Sequence, residues 1–155
     1  QQSAVPHSHC LETYLITDDV SLIDAAVWHA YLDRSYWAAG MPLELLKKAI
    51  ANSLCVGVYD TSGAVDGRPG PMVGAGRMVT DRSTYAYLSD VFVLEQHRGK
   101  GLSKAMMACF LSHPDLQGLR RIALFTRDAQ GLYAQFGFGP CATPDRYMER
   151  KGTGY

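Results

Sequence analysis

A chain of 155 residues, 47% hydrophobic and 19% charged, is long enough for one substantial core, too short for two, and too apolar to be disordered. Fifteen basic and fifteen acidic side chains cancel, which removes any global pull toward nucleic acid or anionic lipid, so an anion site has to be local. The longest apolar runs fall far below the ~20 residues that span a bilayer.

The first ten residues, QQSAVPHSHC, have neither the basic start nor the apolar stretch of a secretory signal, so they read as a loose polar segment before a domain over residues 11–155. His7, His9 and Cys10 on such a terminus make a poor metal grip, and no metal is expected. Cys10, Cys55, Cys109 and Cys141 are scattered, with no CxxC pair and no ligand spacing, which points to reduced thiols in a cytoplasmic protein. Residues 12–17 (ETYLIT) alternate and are rich in β-formers, and Asp18 and Asp19 then supply capping groups for a helix. From Ser21 to near Arg34, the apolar residues Leu22, Ile23, Ala26, Val27, Ala30 and Tyr31 recur at three- and four-residue spacing, as on one helix face. Pro42 suits the first turn of a second helix through Leu45, Leu46 and Ile50, which leaves Ser35, Tyr36 and Trp37 in the connection.

Residues 54–59 form a compact apolar run that fits a buried strand, and residues 60–71, rich in glycine and proline, fit an exposed loop. Residues 72–80 and 85–94 read as the next strands, turning at Asp81, Arg82 and Ser83, and the three neighbours make an antiparallel meander. A helical period over residues 101–111, a strand over 121–126 and a short helix over 131–136 complete a strand-helix-strand-helix unit, whose strands should lie parallel. The expected fold is therefore α/β (α+β): one domain with a mixed central sheet flanked by helices.

The chemistry concentrates where the strongest strand runs through Glu95-Gln96-His97-Arg98-Gly99-Lys100-Gly101 into a helix starting near Leu102. Free amides and the positive end of the helix dipole converge at such a turn and suit a phosphate. Gly99 and Gly101 remove the Cβ atoms that would keep an anion off the backbone, and Arg98 and Lys100 add charge. An ordinary turn with surface cations is the bland alternative. The P-loop spacing is absent, and the dinucleotide fingerprint fails at its third glycine, where Lys104 stands.

Arg98-Gly99-Lys100-Gly101-Leu102-Ser103 is similar to the acyl-CoA signature of the GNAT superfamily, Gln/Arg-x-x-Gly-x-Gly/Ala, with Ser103 in place of the last small residue. The strand Leu88-Ser89-Asp90-Val91-Phe92-Val93 and the segment Leu132-Tyr133-Ala134-Gln135-Phe136-Gly137-Phe138 also resemble that family, in the family's order. The resemblance implies a central strand splayed from its parallel neighbour, with acetyl-CoA as cosubstrate in the opening and Phe92, Val93 and Leu94 along its pantetheine arm. It places the pyrophosphate on the amides of Arg98, Gly99, Lys100, Gly101, Leu102 and Ser103. Tyr133 matches the family's frequent general acid. Asp128 stands where many relatives have an Asn that touches the cofactor, a departure that puts this contact in doubt. Some members carry a Glu-Asp pair where this chain has Ser89-Asp90, so Asp90 either binds the substrate ammonium or relays its proton. A carboxylate held by backbone donors is the structural alternative. Ser35, Tyr36 and Trp37 fall in the region that covers the acceptor, where aromatic rings can box an amine by cation–π contact.

What the resemblance implies is an N-acetyltransferase for a primary amine of a small molecule. The competing expectations are a protein or peptide acetyltransferase and a non-catalytic acyl-CoA sensor. Nucleic acid and membrane are not expected partners, the acceptor is not identified, and the oligomeric state is open, a homodimer included.

Overall fold

The apolar run LCVGVYD forms a strand buried along almost its whole length, because both of its faces are covered. Leu54, Val56 and Val58 enter one core, whereas Cys55 and Tyr59 enter a second on the opposite face, the period-2 alternation of a central strand. The structure is a computed structural model that describes residues 5–155. One six-stranded sheet runs in chain order: β1 (Ser8–Leu11), β2 (Tyr14–Thr17), β3 (Leu54–Asp60), β4 (Met72–Thr80), β5 (Tyr85–Val93) and β6 (Arg121–Leu124). Neighbours are antiparallel as far as β5, and β6 lies parallel to β5.

The helices are α1 (Ala25–Asp33), α2 (Leu43–Ala51), α3 (Leu102–Leu111) and α4 (Gln130–Ala134). Trp28 and Leu32 of α1 and Leu46 of α2 pack with Tyr59, Met72, Ala75 and Phe92 on one face of the sheet. Met106, Met107 and Phe110 of α3 and Tyr133 of α4 fill the other core, with Ile16, Val56, Val73 and Leu88. The mixed sheet and flanking helices agree with the expected α+β architecture. Among the described residues no helix is long and apolar enough to cross a membrane.

Two expectations about local structure change. The helix expected from Ser21 is interrupted: Asp19 caps a 3-10 turn at Val20–Leu22, Ile23 is extended, and Asp24 then caps α1 by accepting from the Val27 amide. Each aspartate satisfies an otherwise orphan amide, so two short elements replace one. Part of the segment expected to be loose, residues 8–10, belongs to β1. Its register with β2 pairs Ser8 with Thr17 and His9 with Ile16, and Asp18 clamps the strand by exchanging hydrogen bonds with His7. Residues 1–4 of the expected loose segment lie outside the described residues.

The parallel pair β5–β6 is short. It joins Tyr85–Leu88 to β6, and β6 ends at Leu124 while β5 continues to Val93, so the second half of β5 has no strand beside it on that side. An irregularity accompanies the divergence. Ala75 pairs with Phe92 and Arg77 with Ser89, which leaves Asp90 and Val91 both opposite Gly76, a β-bulge with Asp90 at φ 56°. The indole N–H of fully buried Trp28 donates to the Asp90 carbonyl at 2.9 Å, tying α1 to the bulge. Trp28→Phe should therefore cost about 1–3 kcal/mol by orphaning that carbonyl. Urea denaturation at equal ring packing checks it, and an unchanged midpoint would mean that the bulge holds without α1.

Candidate active site

The turn expected to hold an anion has the required backbone. After β5 the chain makes a 3-10 turn at Glu95–His97 and passes Gly99 (φ 77°) and Gly101 (φ 78°) before α3 begins. A Cβ on either glycine would be strained by that backbone although it would meet open space, so the glycines serve the conformation and leave the approach clear. Gly101 caps α3 without a side-chain hydrogen bond, so the first helical amides remain free at the positive end of the dipole.

Not every residue of the turn serves it in the same way. Leu102 is buried and anchors the turn through packing, whereas Lys100 is exposed and Ser103 half-buried. Arg98 reaches toward α1 instead: its Nε donates to the Val93 carbonyl at 3.2 Å and its Nη2 to the Tyr31 hydroxyl at 2.8 Å. Tyr14 and His97 Nδ1 meet at 2.7 Å and fasten the turn to β2. Phe92 and Val93 are buried in opposite cores and Leu94 touches both, so these three offer backbone rather than side chain to the open edge of β5.

Where β5 and β6 part, a cleft of about 620 Å³ opens, and its lining gathers Tyr36, Trp37, Ser89, Asp90, Asp128 and Tyr133 from four separate stretches of chain. Ser35 lines an adjoining hollow of about 550 Å³ that shares Tyr36, Trp37, Arg127 and Asp128 with the cleft. The Ser35 hydroxyl donates to the Leu32 carbonyl and accepts from the Ala38 amide, which shapes the connection carrying the two aromatics.

Asp90 is buried, and both of its carboxylate oxygens are engaged. Trp37 Nε1 donates to Oδ1 at 3.0 Å, and Arg77 Nε to Oδ2 at 2.8 Å, while Arg77 Nη1 also reaches Ser53 Oγ at 3.2 Å. Across the cleft, burial and then the neighbouring Tyr36 push the Tyr133 phenol above its ordinary value, which favours its protonated form. The Arg127 guanidinium lies 3.8 Å from the centre of the Tyr36 ring and 3.3 Å from the Asp128 carboxylate, so it bridges the β6 end of the cleft to the α1–α2 connection.

Arg77, Arg127 and Trp28 escaped the sequence reading. A charged residue inside the otherwise apolar stretch MVGAGRMVT was a signal for Arg77, because a buried arginine needs a paired anion. Arg127 and Trp28 gave none for their long-range contacts, since Tyr36 and Asp90 are remote from them in sequence.

Residues 51–140 match the Acetyltransferase (GNAT) domain family. Over 137 residues the chain is 32% identical to a provisionally named acetyltransferase of Gibberella zeae, an alignment that covers 79% of this chain and 76% of that protein. A crystal structure of a provisionally assigned GNAT-family acetyltransferase from Xanthomonas campestris pv. campestris is 45% identical, with a TM-score of 0.80 over 97% of each chain. An acetyltransferase assigned by prediction from Clostridium acetobutylicum, crystallised with acetyl-CoA, shares the fold at 16% identity, with a TM-score of 0.60 over 89% of this chain and 94% of that one. This chain is therefore an acyltransferase of the GNAT family, whose members use acetyl-CoA.

The Arg77–Asp90 pair gives a test of the site's architecture. Arg77→Met should destabilise the protein by about 3–5 kcal/mol, because it strands a buried carboxylate, and adding Asp90→Asn should recover a substantial part of that loss. Urea titration of the two single variants and the double variant reads the coupling; additive losses would mean that the pair does not interact.

Proposed function

We propose that this protein is an N-acetyltransferase that moves the acetyl group of acetyl-CoA onto a primary amine of a small molecule by direct attack. The observation that carries the reading is the cleft at the β5–β6 divergence, which unites Tyr133, Asp90 and the Tyr36-Trp37 pair and adjoins a hollow lined by Glu95 and Arg98 of the turn before α3. The cosubstrate fits that turn on physical grounds: its amides are uncapped, and the space a Cβ would occupy at Gly99 and Gly101 is empty. Arg98, Gly99, Lys100, Gly101, Leu102 and Ser103 would hold the pyrophosphate, chiefly through backbone amides, and the backbone of Phe92, Val93 and Leu94 would run beside the pantetheine arm. Asp128, itself tied to Arg127, is the further cofactor contact. When bound, acetyl-CoA supplies an activated acyl carbon with a thiolate leaving group.

The residues of this chain then divide the work. Tyr36 and Trp37 flank the amine, and Ser89 and Asp90 orient it. Asp90 accepts an N–H of the amine, with Arg77 and Trp37 fixing the carboxylate so that little reorganisation is needed as the C–N bond forms. Tyr133 gives its phenolic proton to the departing sulfur as the C–S bond breaks, and the amine's surplus proton leaves by way of Asp90 and solvent. The cleft volume falls within the range of small-molecule sites, which favours a small acceptor over a protein. Four unpaired thiols fit a reducing compartment such as the cytoplasm.

Two experiments test the assignment. Ligand binding to the folded state raises its melting temperature, so acetyl-CoA should stabilise the parent protein and leave Gly101→Asp unmoved. An equal thermal shift in both would place the cofactor elsewhere. Tyr133→Phe keeps the ring and removes the donor, so kcat should fall about 10²–10⁴-fold, in a thiol-release assay with the best amine of a broad panel, while acetyl-CoA affinity holds. Because the acid form is the active one and its proton is held more tightly than in a free phenol, the parent's alkaline limb should lie above the ordinary tyrosine range. Loss of cofactor binding together with activity would make Tyr133 a packing residue, and tight CoA binding with no acetylation of any amine would favour the sensor.

A further inference from the structure

Away from the cleft, β1 and the end of α3 bring together three side chains of ligating type. His7 precedes β1 by one residue and His9 lies within it, so their two-residue spacing turns both rings to the same side, toward α3. Their ring centroids are 5.2 Å apart, and the Nε2 atoms of both approach Ser112 Oγ, at 2.9 Å and 3.4 Å. Fully buried Cys109 completes the group: its Sγ and one ring nitrogen from each histidine all lie within 4.8 Å of one another. Cys10, adjacent to His9 in the chain, is exposed on the other side of the strand.

We infer that His7, His9 and Cys109 form a binding site for one zinc-class divalent ion, which pins β1 to α3. Two imidazoles and a thiolate suit a borderline-soft ion and leave a fourth tetrahedral position for water. Ligand distances of ~2.0–2.3 Å require the three side chains to close by roughly 1 Å. The backbone is prepared for this, because Asp18 accepts from the His7 amide and returns its own amide to the His7 carbonyl. His113 is excluded as a ligand: its Nε2 is taken by Asp18 at 2.7 Å and its Nδ1 by the Asp115 amide at 3.0 Å. Forming the Zn–S bond releases the thiol proton to solvent.

The full-length chain, freed of metal and kept reduced, is titrated with zinc chloride by calorimetry and with cobalt chloride by absorption. Uptake of one zinc per chain is expected, with a thiolate-to-cobalt band that persists in Cys10→Ser and disappears in Cys109→Ala. His9→Gln, a half-exposed substitution that the fold tolerates, should weaken zinc at least about tenfold. This variant decides the matter if Cys109→Ala fails to fold. Absence of uptake at micromolar zinc, zinc affinity unchanged in His9→Gln, or a band lost in Cys10→Ser and kept in Cys109→Ala would each overturn the site and leave the histidines as hydrogen-bonding partners of Ser112.

Discussion

The site rests on the β-bulge at Asp90. A non-glycine residue in the left-handed region costs of order 1–3 kcal/mol, and this one is held there from three directions. Trp28 binds its carbonyl from α1, Trp37 one carboxylate oxygen from the α1–α2 connection, and Arg77 the other from β4. Trp28 is fully buried and the Arg77 side chain nearly so, so their two contacts operate with little competition from water, whereas Trp37 reaches Asp90 from a partly exposed position. The extra residue at the bulge bends β5 where β6 stops following it, and the cleft is the gap that results. Asp90 is thus a structural keystone as well as a member of the cleft wall, and its removal alters the backbone before it alters any chemistry.

Much of this architecture could be read from local pattern. The buried run at β3 and the glycine turn ahead of α3 depend on neighbours within a few residues, so their signals are present in short windows of sequence. The expected strands and helices recur in the same order, and the cleft brings Tyr36, Trp37, Ser89, Asp90, Asp128 and Tyr133 together. What escaped is non-local. The sequence pattern does not tell that Arg77 will find Asp90 across a bulge, that Arg127 will lie on Tyr36, or that a terminal segment with little hydrophobic character will be held at the sheet edge by Asp18. The side chain of Arg98 illustrates the same limit: its charge suggested an anion contact, whereas Val93 and Tyr31 hold it toward α1.

The two cores deliver different halves of the site. The α1–α2 core supports the connection that carries Tyr36 and Trp37, and the α3 core supports Tyr133 and the start of the glycine turn through Leu102. Strand β5 belongs to both, with Phe92 committed to one and Val93 to the other. Cores pack at near-crystalline density and resist small displacements, so fastening each half to its own core fixes the distance between them. That rigidity would serve the proposed direct transfer, in which the nucleophile and the proton donor have to flank the same bond.

Charge is balanced inside the cleft as well. Asp90 is neutralised by Arg77 and Asp128 by Arg127, so neither carboxylate presents an unpaired negative charge to an arriving acceptor. An unpaired buried carboxylate would hold an ammonium in its protonated form, and a protonated amine has no lone pair with which to attack. A paired carboxylate still accepts a hydrogen bond but favours the cation less. In the proposed reaction the aromatic faces of Tyr36 and Trp37 would add dispersion and a weak cation–π attraction, enough to orient an amine without locking on its proton. For the proposed amine acceptor, the Arg77 pairing that stabilises the bulge would also suit the cleft to a neutral nucleophile, so that one ion pair would serve both the geometry of the opening and the protonation state of the acceptor.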